Sequence, residues 1–237
     1  MLDYDAEAAR YDETRGGVPR ARAAAEAIKE LLPAGAATVV DIACGTGLVT
    51  SQLAGAIGLD QAEMMLRLAA PRLGGRVVRA DASALPFANG SMDAVTMIWL
   101  LHLVDDPAPV LGEAARVLRP GGRLITTIDK NAANFVPDTD IGRLLRPLRD
   151  ETVSDGFDAM VATLRSYDLR PVTETTFVGV GQGRPPSGWQ KIVAGREFRW
   201  MRRLTAEQIR ELVAALAELP GQDAPRADPV YRLVAFG

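Results

Sequence analysis

Three aspartates stand where the first three predicted strands end: Asp41, Asp60 and Asp81. Ligands of an open α/β sheet bind beyond the carboxyl ends of its strands, so we expect these three carboxylates to meet in one crevice. Each aspartate alone could simply end its strand and cap the next helix. Their coincidence with a glycine loop after the first strand favours a binding site for a ligand with positive charge or hydroxyl groups.

The glycine loop, Gly45-Thr46-Gly47, only partly matches the dinucleotide-binding fingerprint. Thr50 stands where the third glycine would be, and Asp41 comes just before the loop. A pyrophosphate needs bare N–H groups and a positive field, which a carboxylate opposes. The pattern therefore disfavours a nicotinamide-dependent oxidoreductase and favours a cationic ligand. S-adenosyl-L-methionine (SAM) fits, since it carries a sulfonium, an ammonium and a ribose diol but no phosphate.

Five segments in order resemble the motifs of class I SAM-dependent methyltransferases. The opening segment resembles the N-terminal segment of the small-molecule branch, and the chain as a whole is similar to the ubiquinone/menaquinone methyltransferases of that branch. The five segments are Tyr4–Arg15, Val39–Gly47, Gly58–Met65, Asp81–Phe87 and Arg116–Gly122. Together they cover about residues 4–130 and imply SAM as cofactor, with S-adenosyl-L-homocysteine (SAH) as the product.

The resemblance implies roles at the methionine end of the cofactor. Asp41 would hold the methionine moiety together with four loop residues, Ala43, Cys44, Gly45 and Gly47. Tyr11 and Arg15 would fold over the amino-acid end, with Arg15 pairing with its carboxylate. The backbone of Met97, at the end of the fourth strand, would meet the ammonium.

The resemblance also implies roles at the ribose and adenine. Asp60 would bind the ribose hydroxyls, and Gln61 and Met65 would border the adenine, although a helical methionine is as often a core residue. Asp81 would accept a hydrogen bond from the exocyclic amine, with the Ala82 amide nearby. Because Gly47 and Asp60 are only 13 positions apart, fewer than is usual in the family, we expect the first helix after the loop, or the second strand, to be shortened.

Methyl transfer from a sulfonium is an in-line displacement, and most of its rate comes from positioning the acceptor atom, whether O, N or C. A base is needed only where the acceptor must lose a proton. The candidates are His102, after the fourth strand, and Asp129, at the end of the fifth. His102 could instead bond a neighbouring backbone group, and Asp129 could cap a helix or turn. A protein with this fold and cofactor site could also catalyse a different reaction, such as a cyclisation.

We expect the acceptor, a small metabolite in a setting such as secondary metabolism, to lie under a lid. The lid would come from about residues 1–20, 131–155 and 184–203 of a single domain spanning 1–237. In the last segment Trp189, Phe198 and Trp200 offer flat apolar walls. That segment carries a local charge of +5, which fits a solvated helix face better than an acidic substrate.

The elements that position these residues alternate between strand and helix from about residue 17 to 130. An apolar run without alternation, such as residues 37–42, suits a strand that is covered on both faces. Further strands are predicted at 56–59, 76–80, 92–99, 123–129, 170–180 and 230–236, and helices at 21–32, 48–53, 62–73, 106–118, 155–167 and 205–219. This order predicts an α/β fold: a doubly wound, Rossmann-like, seven-stranded and mostly parallel sheet with a helical cap.

Composition excludes several functional classes. A single cysteine cannot form an internal disulfide, and one cysteine with one histidine cannot build an ordinary zinc site. No loop has the carboxylate spacing of a hard-cation site, so we expect no metal. A net charge of −3 gives no broad basic face for nucleic acid. The acidic N-terminus does not resemble a signal peptide, so we expect a cytoplasmic protein without a membrane partner. We expect this protein to be a monomer or a homodimer.

Overall fold

The computed structural model describes residues 4–130, 138–148 and 153–237, and its centre is a sheet of seven strands. Five strands are parallel in the order β3-β2-β1-β4-β5, and β7 lies antiparallel between β5 and β6. The strands are β1 (Val39–Ile42), β2 (Ile57–Asp60), β3 (Val77–Arg79), β4 (Met92–Met97), β5 (Leu118–Ile128), β6 (Pro171–Val178) and β7 (Val230–Phe236). The predicted doubly wound fold is confirmed.

The central strands are covered on both faces, as expected for sequences without a polar–apolar alternation. All four residues of β1 and all six of β4 are buried. Helix α2 (Gly17–Leu31) packs on one face, where alternate strand residues such as Val39 and Ala94 meet it. Helices α4 (Ala108–Val117) and α6 (Phe157–Arg165) pack on the other face. The period of two along the strands therefore divides the core into two layers.

The remaining helices include a cap with its own hydrophobic cluster. They are α1 (Tyr4–Thr14), α3 (Glu63–Arg72), α5 (Asp140–Leu145), α7 (Pro186–Ala194) and α8 (Ala206–Ala217). We call α5, α7, α8 and the turn at 199–203 the cap, because their buried residues pack together. Helix α8 begins with the predicted capping box of Thr205 and Gln208. No helix in the described part of the chain is long and apolar enough to cross a membrane.

Several element boundaries differ from the predicted ones. Helix α1 has no counterpart among the predicted elements, and β5 begins at Leu118 rather than Arg123. Strand β1 continues one residue past Asp41, and β3 ends two residues before Asp81. The expected shortening after the glycine loop is confirmed, because a single 3-10 turn at Thr50–Gln52 replaces a helix. Of the predicted lid, residues 1–3, 131–137 and 149–152 lie outside the described residues.

The three aromatic residues predicted to wall the acceptor site belong to the cap. Trp200 is buried in the cap's hydrophobic cluster, and Trp189 and Phe198 pack against that cluster with their ring centroids 5.7 Å apart. None of the three lines the pocket described below. Their apolar surface packs the cap helices against one another. The sequence alone did not distinguish this packing role from an apolar wall of the acceptor site.

Candidate functional site

Asp41 is a buried carboxylate at the floor of the site. Its two oxygens accept hydrogen bonds from the Thr50 hydroxyl at 2.5 Å and from the Thr96 hydroxyl at 2.7 Å. Burial raises the pKa of Asp41 to about 6, although both hydroxyl bonds act against that shift. Hydroxyls carry no charge, and within the described residues no cation pairs with this carboxylate. Its negative charge is therefore available to a cationic ligand.

Thr50 explains why the loop departs from the dinucleotide fingerprint. This residue replaces the third glycine, and the short 3-10 turn that begins with it directs its hydroxyl onto Asp41. A glycine at this position would leave one carboxylate oxygen without that donor. The departure is therefore a structural support for Asp41.

Asp60 fastens the glycine loop to the end of β2. Its Oδ2 accepts from the Gly45 amide and its Oδ1 from the Ala62 amide, both at 2.9 Å. Burial raises the pKa of Asp60, and these amide bonds oppose the rise. The loop also needs left-handed backbone at Ala43, Gly45 and Gly47, with φ of 58°, 56° and 78°. Asp60 thus holds a strained loop in one shape and keeps unused lone pairs for a ligand.

Cys44 packs tightly inside this loop. Its Sγ occupies the space beside Gly58, where an added Cβ would lie only 2.8 Å away. Burial raises the pKa of the Cys44 thiol far above its ordinary value, and the nearby charges of Asp41 and Asp60 raise it further. The thiol is consequently a packing group and not a nucleophile.

Helix α1 is tied across the glycine loop by a group that we call the latch, which consists of Asp12, Thr46 and Arg72. Asp12 accepts from the Thr46 hydroxyl at 2.5 Å and from Arg72 at 2.7 Å, and Arg72 also donates to the Thr46 carbonyl at 2.8 Å. Near the start of α1, the Asp5 carboxylate accepts from the Met64 amide at 2.7 Å. The helix therefore lies over both the loop and α3.

A pocket of about 520 Å³, counted out to its open mouth, lies between the glycine loop, α1, α2 and the end of β4. Six of the predicted cofactor residues line it: Tyr11, Arg15, Asp41, Ala43, Cys44 and Gly45. Arg20, Ile98 and Trp99 also line it and were not predicted as site residues. The structure thus brings together the residues assigned to the methionine end.

The other predicted cofactor residues do not line this pocket. Gly47 packs against Ala69, where an added Cβ would lie 3.0 Å from the Ala69 Cβ. Met65 is buried against Ala8 of α1. The Met97 carbonyl accepts from the Thr126 hydroxyl at 2.8 Å. The pocket is lined instead by the two residues that follow Met97, Ile98 and Trp99.

The residues predicted at the adenine lie at the rim of the sheet, beyond the pocket. Gln61 and Asp81 are exposed, and Ala82 is half-buried. Asp81 accepts from both the amide and the hydroxyl of Ser83, and the hydroxyl bond is the main cause of its lowered pKa. Of the three aspartates, Asp41 and Asp60 lie close enough to affect each other, while Asp81 stands apart. Adenine binding at these residues stays a prediction.

Neither candidate base lines the pocket. His102 is buried in a 3-10 turn after β4, and its Nε2 lies 2.7 Å from Lys130 Nζ. Asp129 accepts from the Phe157 amide at the start of α6, at 3.1 Å, and lies 3.4 Å from Arg232. Asp129 therefore has the helix-capping contacts that were its alternative interpretation. A catalytic role for either residue stays a prediction.

Arg20 and Trp99 are two of the pocket residues that sequence reasoning missed. The Arg20 guanidinium carbon lies 3.4 Å from the centroid of the Trp99 ring, and Trp99 adopts a left-handed φ of 61° after β4. The ring also makes edge contacts with Phe177 and Tyr231, at 5.8 and 5.4 Å between centroids. Arg20 is one of two arginines in an alanine-rich helix, so nothing in the sequence distinguishes it.

Comparison with known proteins agrees with this geometry. A family model described as a methyltransferase domain matches residues 40–126. An uncharacterized methyltransferase of Mycobacterium tuberculosis is 36% identical over 245 residues, which cover 94% of this chain and 92% of that relative. The ubiquinone/menaquinone biosynthesis C-methyltransferase UbiE of Desulfotalea psychrophila is 40% identical over 100 residues, and that match spans only 38% of this chain and 41% of the relative's length.

Among solved structures, the cyclase SpnF superposes with a TM-score of 0.61 at 18% identity, covering 98% of this chain and 93% of that chain. This likeness concerns the fold alone. The assignment to a family rests on the similarity to a methyltransferase along almost the whole chain. This similarity agrees with the glycine loop and with Asp41 and Asp60 at the ends of the first strands. The chain therefore belongs to the class I SAM-dependent methyltransferases, and SAM is its cofactor.

Proposed function

We propose that this enzyme transfers the SAM methyl group to an O, N or C atom of a small-molecule acceptor bound in the pocket. The observation that carries the proposal is the buried Asp41 carboxylate, which lies beneath the glycine loop with two neutral hydroxyls as its partners. A negative charge held in this way at a pocket floor attracts a cation.

The residues around the pocket fit the methionine end of SAM. Asp41 suits the sulfonium and ammonium. The Arg15 Nε is buried and has no hydrogen-bond partner within the described residues, so it suits the carboxylate. We infer that Asp60, already fixed by two amides, uses its remaining lone pairs on the ribose hydroxyls, and that Gln61, Met65, Asp81 and Ala82 border the adenine. The Ile98–Trp99 backbone takes the place first predicted for Met97.

Positioning is the chain's main contribution to the chemistry. When bound, SAM supplies a methyl carbon on a sulfonium, from which an acceptor lone pair displaces a neutral thioether. The glycine loop, Asp41 and α1 fix the direction of that carbon, and Tyr11 and Arg15 exclude water from the amino-acid end. Holding two reactants in line in this way accounts for a large share of the rate.

His102 is the candidate group for removing a proton from the acceptor. An ammonium is only a donor, so Lys130 Nζ, 2.7 Å from Nε2, can donate to that ring nitrogen. This contact occupies the lone pair that a base would use. We therefore infer that His102 acts as a base only when Lys130 turns away, and that it otherwise helps to position the acceptor.

We further infer that the cap and the N-terminal helix form the lid, and that the setting is cytoplasmic, with secondary metabolism as the expected context. A quinone C-methyltransferase among the relatives supports a small-molecule acceptor, and a net charge of −3 supports the absence of nucleic acid.

The test is calorimetric titration of the purified chain with SAM, SAH and NAD. We expect SAM and SAH to bind and NAD not to bind. Asp60→Asn should weaken SAH binding about tenfold, because it removes one charge-assisted acceptor from the site. The exposed variant Asp158→Asn serves as the control. NAD binding without SAM binding, or equal SAH affinity in both variants, would refute the assignment.

A second measurement separates methyl transfer from a different reaction on the same fold. We expect SAH to accumulate when the enzyme is incubated with SAM and a panel of small hydroxyl, amine and quinol compounds. If SAM binds tightly but a substrate is converted without SAH formation, the enzyme catalyses a non-methylating reaction such as a cyclisation.

A further inference from the structure

Three hydrogen-bond donors around the pocket have no acceptor within the described part of the chain. They are Nε of Arg15, Nε of Arg20 and Nε1 of Trp99, all of which are buried atoms of residues that line the pocket. Buried donors are almost always paired in folded proteins. A shared lack of acceptors at one pocket indicates a ligand that is rich in acceptor oxygens.

Arg20 is the most unusual of the three residues. It is only 6% exposed, yet its hydrogen-bond partners are the Arg15 carbonyl at 2.8 Å and the Tyr231 side chain, and its guanidinium stacks on Trp99. Within the described residues no carboxylate pairs with it. Burial is the main cause of a lowered pKa at Arg20, and the charge of Arg15 lowers it further. Buried charges in proteins normally have a counter-ion, so this arginine is prepared for one.

Arg184 adds a third positive charge near Arg15, although it is not one of the residues that line the pocket. It lies half-buried just before α7, and burial and then the charge of Arg15 lower its pKa, while Glu197 and Tyr231 act in the opposite direction. Arg15 therefore acts electrostatically on both Arg20 and Arg184. Asp12, the other pocket carboxylate besides Asp41, is already bound by the latch.

The charges of the cofactor do not neutralise this cluster. The SAM carboxylate pairs with Arg15 in the proposed function, and its sulfonium and ammonium are offset by Asp41. Arg20 is then left without a counter-charge, and at Arg184 the charge of Glu197 only partly offsets that of Arg15. We propose that the methyl acceptor carries a carboxylate or phosphate group that binds between Arg20 and Arg184, with Trp99 Nε1 as a further donor. This inference rests on the proposed function, because it places the acceptor in the same pocket.

The experiment is a titration of the SAH-saturated enzyme with benzoate, phenyl phosphate and their neutral analogue benzamide. We expect one of the two anions to bind at least about tenfold more tightly than benzamide, and the tighter anion identifies carboxylate or phosphate as the recognised group. Arg20→Met and Arg184→Met should each weaken that anion about tenfold or more, with the SAH affinity unchanged within about twofold. Arg22→Met, exposed on the same helix as Arg20, should change neither affinity.

The outcomes are distinguishable. If SAH binds but neither anion binds better than benzamide, or if Arg20→Met and Arg184→Met bind the anion like the wild type, this inference alone is overturned. A loss of SAH affinity in Arg20→Met equal to that in Arg15→Met would assign Arg20 to the cofactor and would also overturn it. Arg184 lies outside the regular elements, so its variant keeps the test valid should Arg20→Met fail to fold. Failure of the wild type to bind SAH would instead refute the proposed function.

Discussion

Gly58, in β2 behind the glycine loop, provides a sharp test of how packing supports the site. A Cβ at this position would lie 2.7 Å from Leu73 Cδ1 and 2.8 Å from Cys44 Sγ. Leu73 is fully buried, so its side chain cannot move aside into solvent. We expect Gly58→Ala to lower the free energy of unfolding by about 1–3 kcal/mol. For a chain of this length the melting temperature should fall by about 2–4 °C for each kcal/mol.

The same substitution should reach the cofactor through Cys44. The Cys44 amide donates to the Leu59 carbonyl at 2.9 Å, and Cys44 directly precedes the Gly45 amide that Asp60 holds. Displacing Cys44 therefore shifts the loop, and we expect SAH binding to weaken several-fold. Removing the sulfur should relieve half of the clash. Gly58→Ala/Cys44→Ala should therefore be more stable than the sum of the two single changes predicts, by about 1 kcal/mol.

Urea unfolding and SAH titration of the two single variants and the double variant measure both effects. Gly188→Ala is the matched control, because a Cβ at that helical glycine meets its neighbours only at ordinary distances of 3.5 Å or more. We expect this control to be neutral or slightly stabilising. The reasoning is refuted if Gly58→Ala behaves like Gly188→Ala, or if the costs of Gly58→Ala and Cys44→Ala simply add.

Three further predictions concern the latch, Asp41 and Asp129. Asp12→Ala removes the bonds from Asp12 to Thr46 and Arg72 and should speed SAH release several-fold in stopped-flow measurements. The control Arg67→Met breaks an exposed ion pair with Glu63 and should leave the release rate unchanged. Equal release rates in the two variants would contradict a clamping role for α1. Because burial holds the pKa of Asp41 near 6, SAM affinity should rise as the pH increases through that value. In Asp41→Asn the SAM affinity should no longer depend on pH in this range. A wild-type affinity that does not change with pH would contradict a cofactor-binding role for Asp41. The effect on stability has the opposite sign, since a folded pKa above the ordinary 3.8 means that ionising Asp41 destabilises the fold as the pH rises. Asp129→Ala should lower the free energy of unfolding in urea by about 1–2 kcal/mol, because it removes the acceptor for the Phe157 amide. The SAH affinity should stay unchanged. A loss of turnover without a loss of stability would instead support a catalytic role for Asp129.

The sheet was predictable because its signals are local. The run that ends at Ile42 has no polar–apolar alternation, which favours a strand covered on both faces, and β1 is buried along its whole length. Gly45 and Gly47 could be placed at the loop from their spacing alone, and both have positive φ. The shortened connection followed from counting residues between Gly47 and Asp60.

Features that depend on distant contacts were not predictable. Helix α1 has little amphipathic character, and it is fixed by side chains that meet residues far along the chain, such as Asp12 with Thr46 and Arg72. The start of β5 was missed because Leu118 pairs with Met92 across a register shift that local sequence does not signal. Arg20 and Trp99 become site residues only when α2 and β4 pack side by side.

The short connection between β1 and β2 also bears on how this enzyme can diverge. Residues 43–56 contain the cofactor loop and the Thr50 support for Asp41, and they also form the whole crossover, which for parallel strands takes about a dozen residues. A deletion here would pull the strands out of register, and an insertion would carry Thr50 away from its carboxylate. Length changes between Asp41 and Thr50 should therefore be rare among close variants of this chain, although the family's connections are usually longer overall. They should accumulate instead in the cap, whose separate hydrophobic cluster lets acceptor preference change without disturbing cofactor binding.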